Sequence, residues 1–137
     1  MLLIRHASAG DRDEWAGDDR LRPLDKRGRK QAERLVELLA QYSVQRMVSS
    51  PADRCVQTLE PLAHERALEI EVREELSEEQ QEIVGAALVR SIATEDVAVS
   101  CHGGLSDVLI GEGQKKGEAI VLELQDDRLA VTNRLRP

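Results

Sequence analysis

Aromatic residues are nearly missing from this chain of 137 residues, which has one Trp, one Tyr and no Phe. A chain so short of rings cannot grip single-stranded nucleic acid by stacking bases on an aromatic platform. Its core must instead be built almost wholly from Leu, Val, Ile and Ala. Cysteine is scarce too, and two residues of it make no disulfide framework. Long apolar runs are absent: Met1-Leu2-Leu3-Ile4 gives way at once to Arg5 and His6, too short for a membrane span or a secretory leader. A reduced, cytoplasmic setting is the expectation. Repeats, low-complexity tracts and Pro/Gly/Ser-rich linkers are also lacking, so residues 1–137 are expected to form one domain.

Charge of one sign is in short supply as well. There are 19 basic residues against 26 acidic ones, a net charge of −7. Such a surface suits neither nucleic acid nor an anionic membrane. The basic residues are concentrated, however. Arg5, Arg12, Arg20, Arg22, Arg27, Arg29, Arg34, Arg46 and Arg54, with Lys26 and Lys30, crowd the N-terminal half, while acid collects over 69–82. A basic region inside an acidic chain points to a site for a small anion.

Hydrophobic residues make up 41% of the chain and charged ones 33%, an ordinary globular balance that a chain of this size can bury. Met1–Arg5 reads as a short buried strand, followed by a polar loop over Ala9–Pro23. Asp25 is a plausible N-cap for a helix whose Ala32, Leu35, Val36, Leu38 and Leu39 recur at helical spacing. Val44–Ser49 reads as a second strand. Pro51 is expected at the start of the next helix, which continues through Val56, Leu59 and Leu62. Leu68–Val72 is a third strand, and Glu78–Ala93 a helix with Ile83, Ala87, Leu88 and Ile92 on one face. Val97–Ser100 is a fourth strand and Gly103–Ile110 a short helix. Ala119–Leu124 and Leu129–Leu135 form a closing hairpin about Gln125-Asp126-Asp127-Arg128. Four alternations of strand and helix predict an α/β fold, a three-layer αβα sandwich on a mostly parallel sheet with a C-terminal antiparallel hairpin. In such folds ligands bind beyond the carboxyl ends of the strands.

That edge is where the chemistry collects. Strand one ends in Arg5-His6, strand two in Ser49-Ser50-Pro51 with Arg54 a turn further on, and strand four in Cys101-His102-Gly103-Gly104. Each residue alone reads as incidental. Together they put two arginines, suited to bidentate phosphate recognition, beside two imidazoles, one of which can accept a phosphoryl group. Cys55 and Cys101 flank the site but do not head a cysteine-phosphatase signature, because the positions six residues on are Pro61 and Asp107, not Arg. They are read as small buried fillers.

Leu3-Ile4-Arg5-His6-Ala7, then Arg22-Pro23-Leu24-Asp25 with Gly28 and Gln31-Ala32, then Ser49-Ser50-Pro51-Ala52-Asp53-Arg54 with Gln57-Thr58, then His102-Gly103, resemble the histidine phosphatase superfamily. Within it they are most similar to the SixA-like phosphohistidine phosphatases. The stretch from Gly17 to Ala63 also resembles the phosphatase-like domain fused to some bacterial MutT-type Nudix hydrolases.

The resemblance implies a phosphoglycerate mutase-like fold and a metal-independent phosphomonoesterase with no cofactor. His6 would be the nucleophile, and Arg5, Arg54 and His102 would clamp the phosphoryl oxygens. For the general acid, the spacing of Leu76-Ser77-Glu78 selects Glu78, with Glu79 and Glu75 as rivals, although these glutamates also read as the acidic first turns of a helix. Ser8, Arg20, Arg22 and Gly103 are candidate substrate contacts, with Arg12 and Trp15 near the leaving group. Ala7 stands where the superfamily usually has Gly, and the segment Ile110–Gly117 is short. Without long insertions the site should be open, favouring phosphate on a bulky carrier. The expected substrate is a phosphohistidine protein, with a nucleotide or small phosphorylated molecule as the alternative. A non-catalytic phosphate-binding module and a metal hydrolase using His6 and His102 are the readings of other classes.

Overall fold

A computed structural model describes residues 1–137. Its strands are β1 (Leu2–Arg5), β2 (Arg46–Ser49), β3 (Ile70–Val72), β4 (Val97–Cys101), β5 (Ala119–Gln125) and β6 (Arg128–Leu135). They form one sheet in the order β3-β2-β4-β1-β5-β6. β3, β2, β4 and β1 run parallel, whereas β5 pairs antiparallel with β1 and β6 with β5. The expected α/β architecture, with its parallel sheet and closing hairpin, is the one observed.

The sheet is buried on both faces because its central strands are mostly apolar: every residue of β4 is buried, as parallel strands between two helical layers require. Alternation along β1 sends Leu2 and Ile4 to one face and Leu3 to the other. On the first face they meet Leu35, Leu39, Leu59 and Leu62 of α1 (Lys26–Leu38), its terminal residue and α2 (Asp53–Arg66). On the second face Leu3 packs with Val89 of α3 (Ala86–Ser91) and Leu105 of α4 (Leu105–Ile110). The aromatic side chain packed here is Tyr42, half-buried against the first face.

Asp25 caps α1 as expected, its carboxylate accepting from the Gly28 N–H at 2.7 Å. Three readings are corrected. Pro51 lies two residues ahead of α2, whose N-cap is Ala52. The helix expected over Glu78–Ala93 begins only at Gln81, and its first turn, Gln81–Gly85, is a π-turn. That wider turn rotates the apolar positions, so Ile83 is 82% exposed while Gly85, Ala86 and Val89 are buried instead. The closing turn is tighter than expected, with only Asp126 and Asp127 between the strands, both at positive φ as a two-residue hairpin requires.

Candidate active site

Register brings the strand ends together. Arg5 lies opposite Cys101, and Ser49 opposite Ser100. The residues that follow stay aligned: the His6 N–H donates to the Cys101 carbonyl at 2.9 Å and the Ser50 N–H to the Ser100 carbonyl at 3.0 Å. His6, Ser50 and His102 therefore emerge side by side at the carboxyl edge of the parallel strands. The His6 and His102 rings meet edge to face with centroids 5.6 Å apart.

Both histidines are buried, and each tautomer is fixed by what it faces. His6 Nδ1 is 2.8 Å from the Ala7 carbonyl oxygen. A carbonyl only accepts, so Nδ1 carries the proton and Nε2 keeps its lone pair. Burial pushes the His6 pKa down to about 3, against the Ala7 hydrogen bond and with help from the charges of His102, Arg54 and Arg5. For His102, Nδ1 lies 3.4 Å from the Arg54 guanidinium, which only donates, and Nε2 donates to Ser50 Oγ at 2.8 Å. Burial first, and then Arg54, lower its pKa to about 4.

The two arginines are set differently. Arg5 donates to the Gln114 carbonyl at 2.7 Å, and its Nε is buried without a partner. Its guanidinium lies flat on Gly103, where a Cβ would sit 2.9 Å from Arg5 Cζ. Glycine at 103 leaves room for Arg5, and the residue lines the cavity beside His6. Arg54 is 1% exposed and already engaged: it donates to the Asp19 carbonyl at 2.8 Å, to the Asp19 carboxylate at 3.0 Å and to Glu78 at 3.4 Å.

Glu78 stands at the mouth, between a cavity of about 500 Å³ beside His6 and Arg5 and a smaller one of about 120 Å³ beside Arg54 and His102. Its carboxylate takes two hydrogen bonds from Arg12, at 2.8 and 3.0 Å. Of its rivals, Glu79 lines the smaller cavity but pairs with Arg20, and Glu75 faces Arg73. Arg22 is buried, lines the larger cavity, and is tied to Asp19 and the Ala9 carbonyl. Arg20 reaches Glu74 and Glu79 at the rim of the smaller cavity. Ser8 lines neither cavity; its hydroxyl donates to Asp25. Trp15 also lies outside both, its indole N–H donating to the Asp18 carbonyl.

Sequence reasoning missed four contributors. Asp19 accepts from Arg54 and Arg22, which together outweigh its burial and lower its pKa. Gln81 spans the backbone of the second histidine, accepting from the His102 N–H and donating to the Gly103 carbonyl. Thr58 accepts from the Ala7 N–H, and Lys116 lines the larger cavity. Thr58 and Asp19 had a signal, as parts of the stretches carrying the resemblance. No group of three or more His, Cys, Asp or Glu side chains is arranged to hold a metal ion. Cys55 and Cys101 are free and buried; burial raises both thiols, Cys55 to about 12.

A buried imidazole with a free Nε2, ringed by a second histidine and two arginines at a parallel-sheet edge, is an arrangement that can bind a phosphate and accept a phosphoryl group. Residues 1–81 match the model of the histidine phosphatase superfamily (branch 1). The chain belongs to that superfamily. Its fold is similar to that of a protein histidine phosphatase SixA complexed with tungstate (TM-score 0.79, 23% identity, 99% of this chain and 96% of that one). It is also similar to that of a mycobacterial glucosyl-3-phosphoglycerate phosphatase (TM-score 0.75, 17% identity, 96% of each chain). By sequence, 65 residues are 51% identical to an 8-oxo-(d)GTP phosphatase of Mycolicibacterium smegmatis, covering 47% of this chain and 20% of that protein. The chain thus spans about a fifth of that relative's length. No helix is long and apolar enough to cross a membrane.

Proposed function

We propose that the chain is a metal-independent phosphatase working through a phosphohistidine at His6. One observation carries this reading: Nδ1 of a buried His6 is tied to the Ala7 carbonyl, which leaves Nε2 unprotonated among cationic groups. Nε2 attacks phosphorus, the N–P bond forms as the P–O or P–N bond to the carrier breaks, and the carrier leaves with that electron pair. Water then attacks phosphorus, releasing inorganic phosphate and returning the lone pair to Nε2. Arg5, Arg54 and His102 hold the three phosphoryl oxygens and offset the charge that develops, which is the task a metal performs elsewhere. A dianion beside His102 draws a proton onto Nδ1, turning it into a donor. The anion competes with Asp19 for Arg54.

Glu78 is the proton donor where the leaving group needs one. In the resting arrangement Arg12 and Arg54 occupy its oxygens. A weakly basic leaving group such as an imidazole departs without that help, which favours phosphohistidine borne on a protein. The 51% identity to an 8-oxo-(d)GTP phosphatase favours a second reading, a nucleotide. Two free, buried cysteines agree with a cytoplasmic setting.

The test is trapping in EDTA. The protein is mixed with a labelled phosphohistidine-bearing protein or labelled nucleoside triphosphate and quenched rapidly. Acid-labile, base-stable label should appear on the wild type and be absent from His6→Ala. Substrate consumed by His6→Ala at the wild-type rate would remove His6 as the acceptor. Which substrate labels the protein decides between the two readings.

A further inference from the structure

The larger cavity offers more than a single phosphoryl group needs. It encloses about 500 Å³, and no hydrophobic side chain lines it. Arg5, Arg12, Arg22 and Lys116 face Asp11 and Glu78 across it. A surface of this kind gains nothing by enclosing an apolar leaving group, but it does reward a second negative charge.

Lys116 is not loosely placed. The next residue, Gly117, donates its N–H to the carbonyls of both Arg5 and His6, at 3.1 Å each. The turn is closed by the Glu118 N–H donating to the Lys115 carbonyl at 3.0 Å. Glu118 is 1% exposed and is itself paired with Arg134 and Arg136 on and beyond β6. The ammonium is thus carried by a turn fastened to the nucleophile's own backbone. Across the cavity Arg12 is neutralised only by carboxylates that an incoming anion can displace.

We infer that Lys116 and Arg12 form a second anion subsite next to the phosphoryl position, selecting a substrate whose transferred phosphate is joined to another phosphate. This rests on His6 being the acceptor and deepens the second of the two readings above, a nucleotide, by assigning the substrate class of that site: a terminal phosphate on a di- or triphosphate chain. As Nε2 bonds to the terminal phosphorus, the P–O bond to the bridging oxygen breaks. The shortened phosphate chain leaves with the electron pair, held by Lys116 and Arg12. That leaving group is weakly basic, so it departs while Glu78 remains unprotonated.

The experiment is calorimetric binding in EDTA at neutral pH, with inorganic pyrophosphate against orthophosphate and ADP against AMP. The wild type should bind the diphosphate of each pair about tenfold more tightly, the worth of two charge-assisted contacts in partial solvent. Lys116→Met, at an exposed position where folding is not at stake, should bring each ratio most of the way to unity, and Arg12→Met should do the same. Equal affinities in the wild type, or ratios untouched by either variant, overturn the subsite. Phosphoglycolate binding as tightly as pyrophosphate overturns the assignment to a second phosphate. Binding does not require turnover, so a preference retained in a protein that fails the His6 trapping test sinks the phosphohistidine mechanism and leaves the subsite standing.

Discussion

A neutral histidine is a poor partner for a phosphate dianion, yet burial makes His102 neutral, its pKa near 4. The resolution is linkage: a group that must be charged to hold the ligand takes up a proton when the ligand arrives. In the free site Ser50 and Arg54 fix the opposite tautomer, with Nδ1 as an acceptor. Anion binding should therefore be accompanied by proton uptake, and affinity should rise as pH falls from 7 towards 5. Titrating tungstate in buffers of differing ionisation enthalpy measures this directly. Uptake approaching one proton is expected for the wild type and close to none for His102→Asn. Uptake that survives the substitution would assign the proton to His6, and with it the wrong residue to each role.

At the level of elements, the loop between β1 and α1 is held over the site by pairs that local sequence does not reveal. Arg12 reaches Glu78 across 66 residues, and Arg20 reaches Glu74 across 54. Asp19, at the start of the short 3-10 turn Asp19–Leu21, occupies Arg54 with a carboxylate at the position the proposed mechanism gives to a phosphoryl oxygen. Asp19→Asn should therefore tighten inhibition by tungstate, by about fivefold if the pair, its Asp19 end open to solvent, is worth ~1 kcal/mol; weaker inhibition would make Asp19 a support for Arg54 and not its competitor. The other end of the loop is closed by packing. A Cβ on Gly28 would sit 1.9 Å from the Ser8 carbonyl oxygen, so Gly28→Ala should cost about 1–3 kcal/mol in urea unfolding despite the gain in helix propensity. These details show what was legible. His6 and His102 could be placed together because each follows an apolar run at a strand end, where the fold class itself says ligands bind, and Arg54 because it opens the helix that follows β2. Asp25 was readable because capping is local. The face of the Gln81–Gly85 turn was not, since a π-turn rotates side chains away from the 3.6-residue period and leaves Ile83 outside. Lys116 lies in an irregular segment with no period to read, and it reaches the site only because Gly117 bonds the backbone of β1.

For the molecule as a whole, two buried neutral histidines leave a mark on stability that the site alone does not show. In the unfolded chain each titrates near its ordinary pKa of about 6.5, whereas in the folded protein the values are about 3 for His6 and about 4 for His102. Below pH 6.5 the unfolded state binds more protons than the folded one, so stability is fully present above that pH and is lost as pH falls towards the folded values. Each histidine costs up to about 1.4 kcal/mol per pH unit within that window. Asp19 and Asp25 are also held below the usual carboxylate range, Asp25 because hydrogen bonds from Gly28, Ser8 and Gly10 outweigh its burial. Their contribution is likewise lost on acidification, but mainly below about pH 4, outside the histidine window. Net charge pulls the other way: the chain carries −7 at neutral pH, and protonation relieves that self-repulsion on the approach to pH 5. A falling urea midpoint between pH 7 and pH 5 therefore runs against the whole-molecule trend and reports the buried imidazoles. His6→Asn should flatten this fall by roughly half while leaving the response below pH 4 in place. A variant whose midpoint parallels the wild type throughout would mean that His6 titrates near its ordinary value in the folded protein, and below that pH a protonated His6 has no lone pair with which to accept a phosphoryl group.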